Sequence, residues 1–179
     1  MVFALCFLTG CSAGSTIETI LEINKDLSGY RQMDLVVDQT VYDEYFTGSV
    51  EDLNALISEN CPKEMTWSQN ELNGATVYRF RIDFTDSEDY ENKVKNIINS
   101  ENEIETVITD ADSIWASGIF ISENYNSEQL MDWLKTAIVD AQYVSESNRS
   151  MIFTSGSNTV RYIGKEYAAY GNIQIDEIE

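Results

Sequence analysis

The chain has 179 residues, 31 of them acidic and 11 basic, with no histidine and a formal net charge of -20. Such a surface repels nucleic acid and anionic lipid headgroups, and without histidine neither a Cys-His nor a Ser-His nucleophile can be assembled. A hydrophobic fraction of 43% and an aromatic fraction of 11% argue against disorder, and the length allows one real core or two small ones.

Val2 to Leu8 is apolar. It is too short to span a bilayer, which takes about 20 residues, and has the size of a signal-peptide apolar region. No Lys or Arg precedes it, so either the natural start lies upstream or Met1 is an internal start. The run ends in Leu8-Thr9-Gly10-Cys11 and passes into polar Ser12-Ala13-Gly14-Ser15-Thr16. These residues resemble a bacterial lipoprotein precursor. The resemblance implies removal of residues 1 to 10 and lipidation of Cys11, with several acyl chains holding the protein at the outer side of the cell membrane. Two or more chains give stable anchoring where one does not. Residues 11 to 16 then form a tether, and 17 to 179 a single domain, with an alternative division near residue 100. The competing reading of Val2 to Leu8 is a buried strand.

Cys6 leaves with the signal and Cys11 carries lipid, so Cys61 is left without a partner for a disulfide. Before Pro62 it is expected as a small buried apolar residue.

Ile17 to Ile23 alternates with a two-residue period and predicts a strand. Asn24 to Gly29 is a turn, and Tyr30 to Asp38 a second strand carrying Met33, Leu35 and Val37 on one face. Val41 to Thr47 holds Tyr42, Tyr45 and Phe46 and reads as a short helix or a cover over the sheet edge. Val50 to Glu59 is a helix capped by Ser49, with Glu51 and Asp52 at the positive end of its dipole. Pro62 ends it. Glu64 to Ser68 and Ala75 to Phe84 form a hairpin around Glu71-Leu72-Asn73-Gly74. Ser87 to Asn99 is a helix capped by Asp86 or Ser87. Ile104 to Ile108 and Ile114 to Ser122 are a third hairpin. Ser127 to Ala141 is a helix opened by Asn126 and Gln129 as a capping box. Ser150 to Thr154 and Thr159 to Ile163 suggest a last hairpin around Ser155 to Asn158, and Ile173 and Ile175 a final strand.

Hairpin then helix recurs, with Leu53, Tyr90 and Leu130 at one position of the three helices and Ile57, Val94 and Leu134 at the next. The expected fold is α+β: an antiparallel sheet of repeated β-β-α units with helices on one face. The other face is left to water, where Arg79, Arg81, Gln32, Asp34, Glu18 and Glu22 would lie.

Catalytic signatures are sparse. Asp110 and Asp112 share a turn but lack the glycine and ligand spacing of a calcium loop. Asp86, beside Asp83 and Asp89, is accounted for by capping. Thr154-Ser155-Gly156-Ser157 is not a nucleophile elbow, and Lys165 as a base for Ser157 belongs to no motif. No metal or cofactor is expected. The candidates for ligand contact are aromatic: Trp67, Trp115, Tyr42 and Tyr45, because aromatic rings bury area at low entropy cost.

Ile17 to Ile23, Asp26-Leu27-Ser28-Gly29 and Tyr30 to Val37 resemble the opening of surface lipoproteins of the LppM-like group. That resemblance implies a small β-rich envelope domain, and the family look points to a Gram-positive bacterium. The expected function is a lipid-anchored envelope protein with a binding or structural role toward a surface protein or glycan. The alternative is a small envelope hydrolase working through carboxylates, and a third reading makes the chain the N-terminal part of a longer protein. A convergent buried carboxylate pair would favour the enzyme, and a flat exposed aromatic patch the binding protein.

Overall fold

A computed structural model describes residues 15–37, 39–72, 75–99, 103–111, 116–169 and 173–178. The first strand, β1 (Thr16–Ile23), buries Ile17, Thr19, Leu21 and Ile23 and turns the residues between them to the opposite side. It pairs antiparallel with β2 (Gly29–Val37) over its whole length. The turn between them is closed by two backbone bonds, from the Asn24 N–H to the Ser28 carbonyl (2.8 Å) and from the Leu27 N–H to the Asn24 carbonyl (3.0 Å). Asp26 Oδ1 accepts the Ser28 N–H at 3.1 Å, the local bond that suits Asp to turns.

After the short helix α1 (Gln39–Tyr45) comes α2 (Val50–Asn60). Its start is a capping box between Ser49 and Asp52, and it buries Leu53 and Ile57. The second hairpin is β3 (Thr66–Leu72) and β4 (Ala75–Phe84), and β4 lies against β2. Helix α3 (Ser87–Ile98), capped by Asp86, buries Tyr90, Val94 and Ile97. The third hairpin is β5 (Thr106–Asp110) with β6 (Ala116–Glu123). The expected helix from Ser127 is broken at Met131 into α4 (Ser127–Leu130) and α5 (Asp132–Asp140).

The end of the chain departs from expectation. Ser155 to Asn158 is not a turn. It lies inside β7 (Thr154–Tyr162), which runs parallel to β1 and turns at Ile163–Gly164 into β8 (Lys165–Ala168). A bulge in β7 absorbs the Ser-Gly-Ser stretch. There Glu18 accepts the Ser157 N–H at 3.0 Å and the Ser157 hydroxyl, which replaces the ladder bonds a bulge forfeits. Ile173–Ile178 forms β9, the final strand expected from its alternation.

The fold is α+β, with a mixed six-stranded sheet ordered β3-β4-β2-β1-β7-β8 and a three-stranded sheet ordered β5-β6-β9. The third hairpin does not join the first two. Its free edge on β5 is occupied by side chains of α3: Glu91 accepts the Thr106 N–H (2.9 Å), while Ser87 Oγ donates to the Thr106 carbonyl (3.2 Å) and accepts the Ile108 N–H (3.0 Å). A strand edge occupied in this way is a poor template for another strand. One hydrophobic cluster runs through both sheets and the helices. It covers one face of the larger sheet with α2 to α5 and leaves the other without a covering helix among the described residues.

Candidate functional site

The uncovered face is polar because β1, β2 and β4 all alternate in phase. Register sets Asp83, Tyr30, Glu22, Arg161 and Glu166 directly opposite one another in a single row across five strands. Arg81, Gln32, Ile20 and Thr159 form the row beside it, and Arg79, Asp34 and Glu18 begin a third. Cross-strand neighbours this close interact directly. Tyr30 Oη donates to Glu22 Oε2 at 2.7 Å, and Arg161 Nε to Glu166 Oε1 at 2.7 Å. Arg79 donates to both oxygens of Asp34, at 2.8 and 2.6 Å. Arg81 donates twice to Asp83, at 2.8 and 2.6 Å, and its guanidinium carbon lies 3.7 Å from the centre of the Tyr30 ring.

Two titrations follow from this packing. Burial, and then the bond to Glu22, push the Tyr30 hydroxyl above its ordinary value, against the opposing pull of the Arg81 charge. The paired bonds to Asp34 hold Arg79 more firmly charged.

At one end the face sinks into a recess of about 270 Å³, between the Asn24–Lys25 and Ile163–Gly164 turns. Glu22, Arg161 and Glu166 of the long row line it, with Ile23, Lys25 and Ile163. Ile163 (φ 50°) and Gly164 (φ 73°) both take the left-handed turn conformation, and Ile163 keeps 41% of its surface exposed. The recess thus sets one exposed apolar side chain, Ile163, and the buried Ile23 among cations and carboxylates. That combination suits polar recognition with a small apolar anchor.

The aromatic candidates do not meet there. Tyr42 is 8% exposed and its ring stacks on Phe46 at 4.9 Å, so it belongs to the core rather than to a contact surface. Tyr45 is half-buried against the same core. Trp67 lies on the helix-covered side of β3, tilted against Tyr78 at 6.5 Å. The strand alternation that exposes Ser68 turns Trp67 inward. Cys11 and Trp115 lie outside the described residues.

The carboxylates considered for catalysis are spent on neighbours. Asp86 caps α3, Asp83 holds Arg81 and Asp89 holds Lys93 at 2.8 Å. Ser157 donates to Glu18. Asp110 ends β5, and Asp112 lies outside the described residues. Among the described residues no group of three or more His, Cys, Asp and Glu side chains could hold a metal ion. Cys61 is half-buried, and burial pushes its thiol up to about 11.

Sequence alternation had placed Glu22, Gln32, Asp34, Arg79 and Arg81 on this face. It missed Tyr30, Arg161 and Glu166. The parity of β2 was a usable signal for Tyr30, whereas Arg161 and Glu166 join the row only through the parallel pairing of β7 with β1. No protein-family model matches the chain, and neither a curated protein nor a solved structure matches it. Fold and site together define an α+β protein with an open, charge-laddered sheet face that ends in a recess.

Proposed function

We propose that this chain is a lipid-anchored envelope protein that binds a surface protein or glycan through the open face of its larger sheet. The observation carrying this reading is the direction of β1. Ser15 immediately precedes β1, and the recess lies at the strand's other end, past Ile23. Eight strand residues span roughly 25 Å. Cys11 stands four positions before Ser15, within about 15 Å of extended chain. A lipid on Cys11 therefore draws the start of β1 toward the membrane and turns the recess outward.

One carboxylate bears on the hydrolase alternative. An acid catalyst needs a carboxyl with a raised pKa. Glu128, which lines a cleft beside α4 and α5, goes the other way. Burial raises it, but the Ser155 N–H and the Lys135 ammonium outweigh that and hold it below its usual value.

The hairpin-helix order of β1-β2-α2, β3-β4-α3 and β5-β6-α4 fits an origin by repetition of one β-β-α unit, which we offer as part of the same reading.

The test is expression with the natural upstream sequence, comparing the original with Cys11→Ser. Detergent-phase partitioning and an acyl mass on a chain beginning at Cys11 are expected, and both should vanish in Cys11→Ser. A soluble, unmodified chain that keeps residues 1 to 10 overturns the anchor. The face is tested separately with Tyr30→Ala and Arg161→Glu, which should fold normally by circular dichroism and lose retention on isolated cell envelopes.

A further inference from the structure

A second cleft lies on the helical side, remote from the open face. Its volume is about 430 Å³, and its lining is Ile98 from the end of α3, Asn126 at the cap of α4, Glu128 and Gln129 of α4, and Asp132 and Lys135 of α5. Lys135 is the unusual member. Its side chain is only 7% exposed, and a nearly buried ammonium is costly unless its charge and its three N–H donors are matched. The acceptor the described residues supply is Glu128 Oε2, at a long 3.3 Å. The other Glu128 oxygen is taken by the Ser155 N–H at 2.9 Å.

The carboxamides beside it are biased the same way. Asn126 and Gln129 spend their oxygens on each other's backbone N–H, at 3.0 and 2.9 Å. Each therefore keeps an NH2 group with no acceptor among the described residues. Asp132 is held by Arg149 at 2.7 Å, and Arg149 also donates to Thr136 at 2.8 Å. The lining carries one formal negative charge, from Glu128 and Asp132 against Lys135, but Asp132 is neutralised by Arg149 outside the cleft, and the NH2 groups of Asn126 and Gln129 add hydrogen-bond donors beside one apolar wall, Ile98.

We propose that this cleft binds a small monocarboxylate with a short alkyl portion. The carboxylate oxygens would accept from Lys135 and from the Asn126 and Gln129 amides, and the alkyl part would lie on Ile98. One planar negative charge suits a lysine that already shares its own charge with Glu128. A doubly charged phosphate would face Glu128 and Asp132 without an arginine free to offset it.

The experiment is a titration of the full ¹⁵N-labelled protein with sodium butyrate at constant ionic strength, read by amide chemical shifts, with butyramide and inorganic phosphate in parallel. Saturable shifts confined to residues around Asn126 to Lys135 are expected, with a dissociation constant on the order of 1 mM. Lys135→Met, which keeps the buried stem, should weaken binding at least roughly tenfold. Ile98→Trp fills the cleft from its rim without altering any charge, and should do the same even if Lys135→Met fails to fold. Butyramide and phosphate should leave the shifts unchanged. The proposal is overturned if butyrate produces no saturable shift up to about 50 mM, if Ile98→Trp binds as the original does, or if phosphate or butyramide binds as well as butyrate.

Discussion

Nη2 of Arg31 lies 2.6 Å from Oε2 of Glu123, and this bond joins β2 of the larger sheet to the end of β6 in the smaller one. The Arg31 side chain is 2% exposed and that of Glu123 12%. The guanidinium carbon lies 5.9 Å from the centre of the Tyr90 ring and 5.8 Å from that of Tyr125. Tyr125 Oη donates to the second Glu123 oxygen at 3.1 Å and is paired with Thr106 Oγ1 at 2.9 Å. A charge this deep needs such an environment, because the alternative is an unpaired ion in a medium of low dielectric constant. Two sheets that share no backbone ladder among the described residues are thereby tied together.

Removing one partner should cost far more than removing both. Arg31→Ala leaves Glu123 as an uncompensated buried charge and is expected to destabilise the fold by about 3–5 kcal/mol. The double replacement Arg31→Met with Glu123→Leu should lose much less, since well-packed apolar residues often replace a buried pair at little cost. Urea unfolding of the original, both single variants and the double variant forms the cycle. Additive losses would count against the pair as a coupled unit.

Two glycines on the larger sheet should respond differently to alanine. A Cβ on Gly29 would lie 2.0 Å from the Glu22 carbonyl oxygen and 2.9 Å from the Phe84 ring, and the backbone there is held in two ladders at once. Gly29→Ala should cost about 3 kcal/mol. At Gly156 the nearest atom is a Glu18 carboxylate oxygen, 2.4 Å away, on a side chain that can move. Gly156→Ala should be the milder change, and a thermal shift assay ranks the two directly.

Acid should begin to weaken the fold as pH falls through the ordinary carboxylate range. The bond to Lys93 holds the Asp89 carboxyl below its usual 3.8, and the bond to Lys95 holds Glu91 below its usual 4.5. A carboxyl depressed in the folded state stabilises it at every pH above the unfolded value, and that stability is lost as pH falls through the folded value. From neutrality down to about pH 5 these groups change nothing, and the loss begins below about pH 4.5. Asp89→Asn should flatten that acid limb while leaving its slope near neutrality unchanged. Urea midpoints across the range decide it, and an acid limb identical in the variant would sink the assignment.

The Cys61 thiol should react slowly. Raised from 9.0 to about 11 by burial, it holds about a hundredfold less thiolate near neutral pH than an ordinary thiol. Disulfide-exchange labelling of the native protein should lag the urea-unfolded chain by roughly tenfold or more, since the greater nucleophilicity of a high-pKa thiolate offsets part of its scarcity. Equal rates in the two states would contradict the half-buried position.

The start of α2 offers a local check. Ser49 accepts the Asp52 N–H at 3.1 Å, and Asp52 accepts the Ser49 N–H at 2.9 Å. Ser49→Ala should cost about 1 kcal/mol, with lost amide-exchange protection confined to the first turn of α2.

The sequence by itself determined whatever depends on contacts within a few residues. The alternation of β1 and β4, the caps at Ser49 and Asp86, the Asn126–Gln129 box and the polar face carrying Glu18, Gln32, Asp34, Arg79 and Arg81 were all legible, because a strand's period and a helix's first turn are local physics. Only the tertiary structure decided which strand edges meet. Ser155 to Asn158 has the composition of a turn, yet it becomes strand because β1 offers a parallel edge and Glu18, 139 positions away, satisfies the bulge. The third hairpin stands apart because Ser87 and Glu91 fill its free edge. Arg31 has the parity of Met33 and Leu35, and its charge can be buried with them only because Glu123, 92 positions on, supplies the partner.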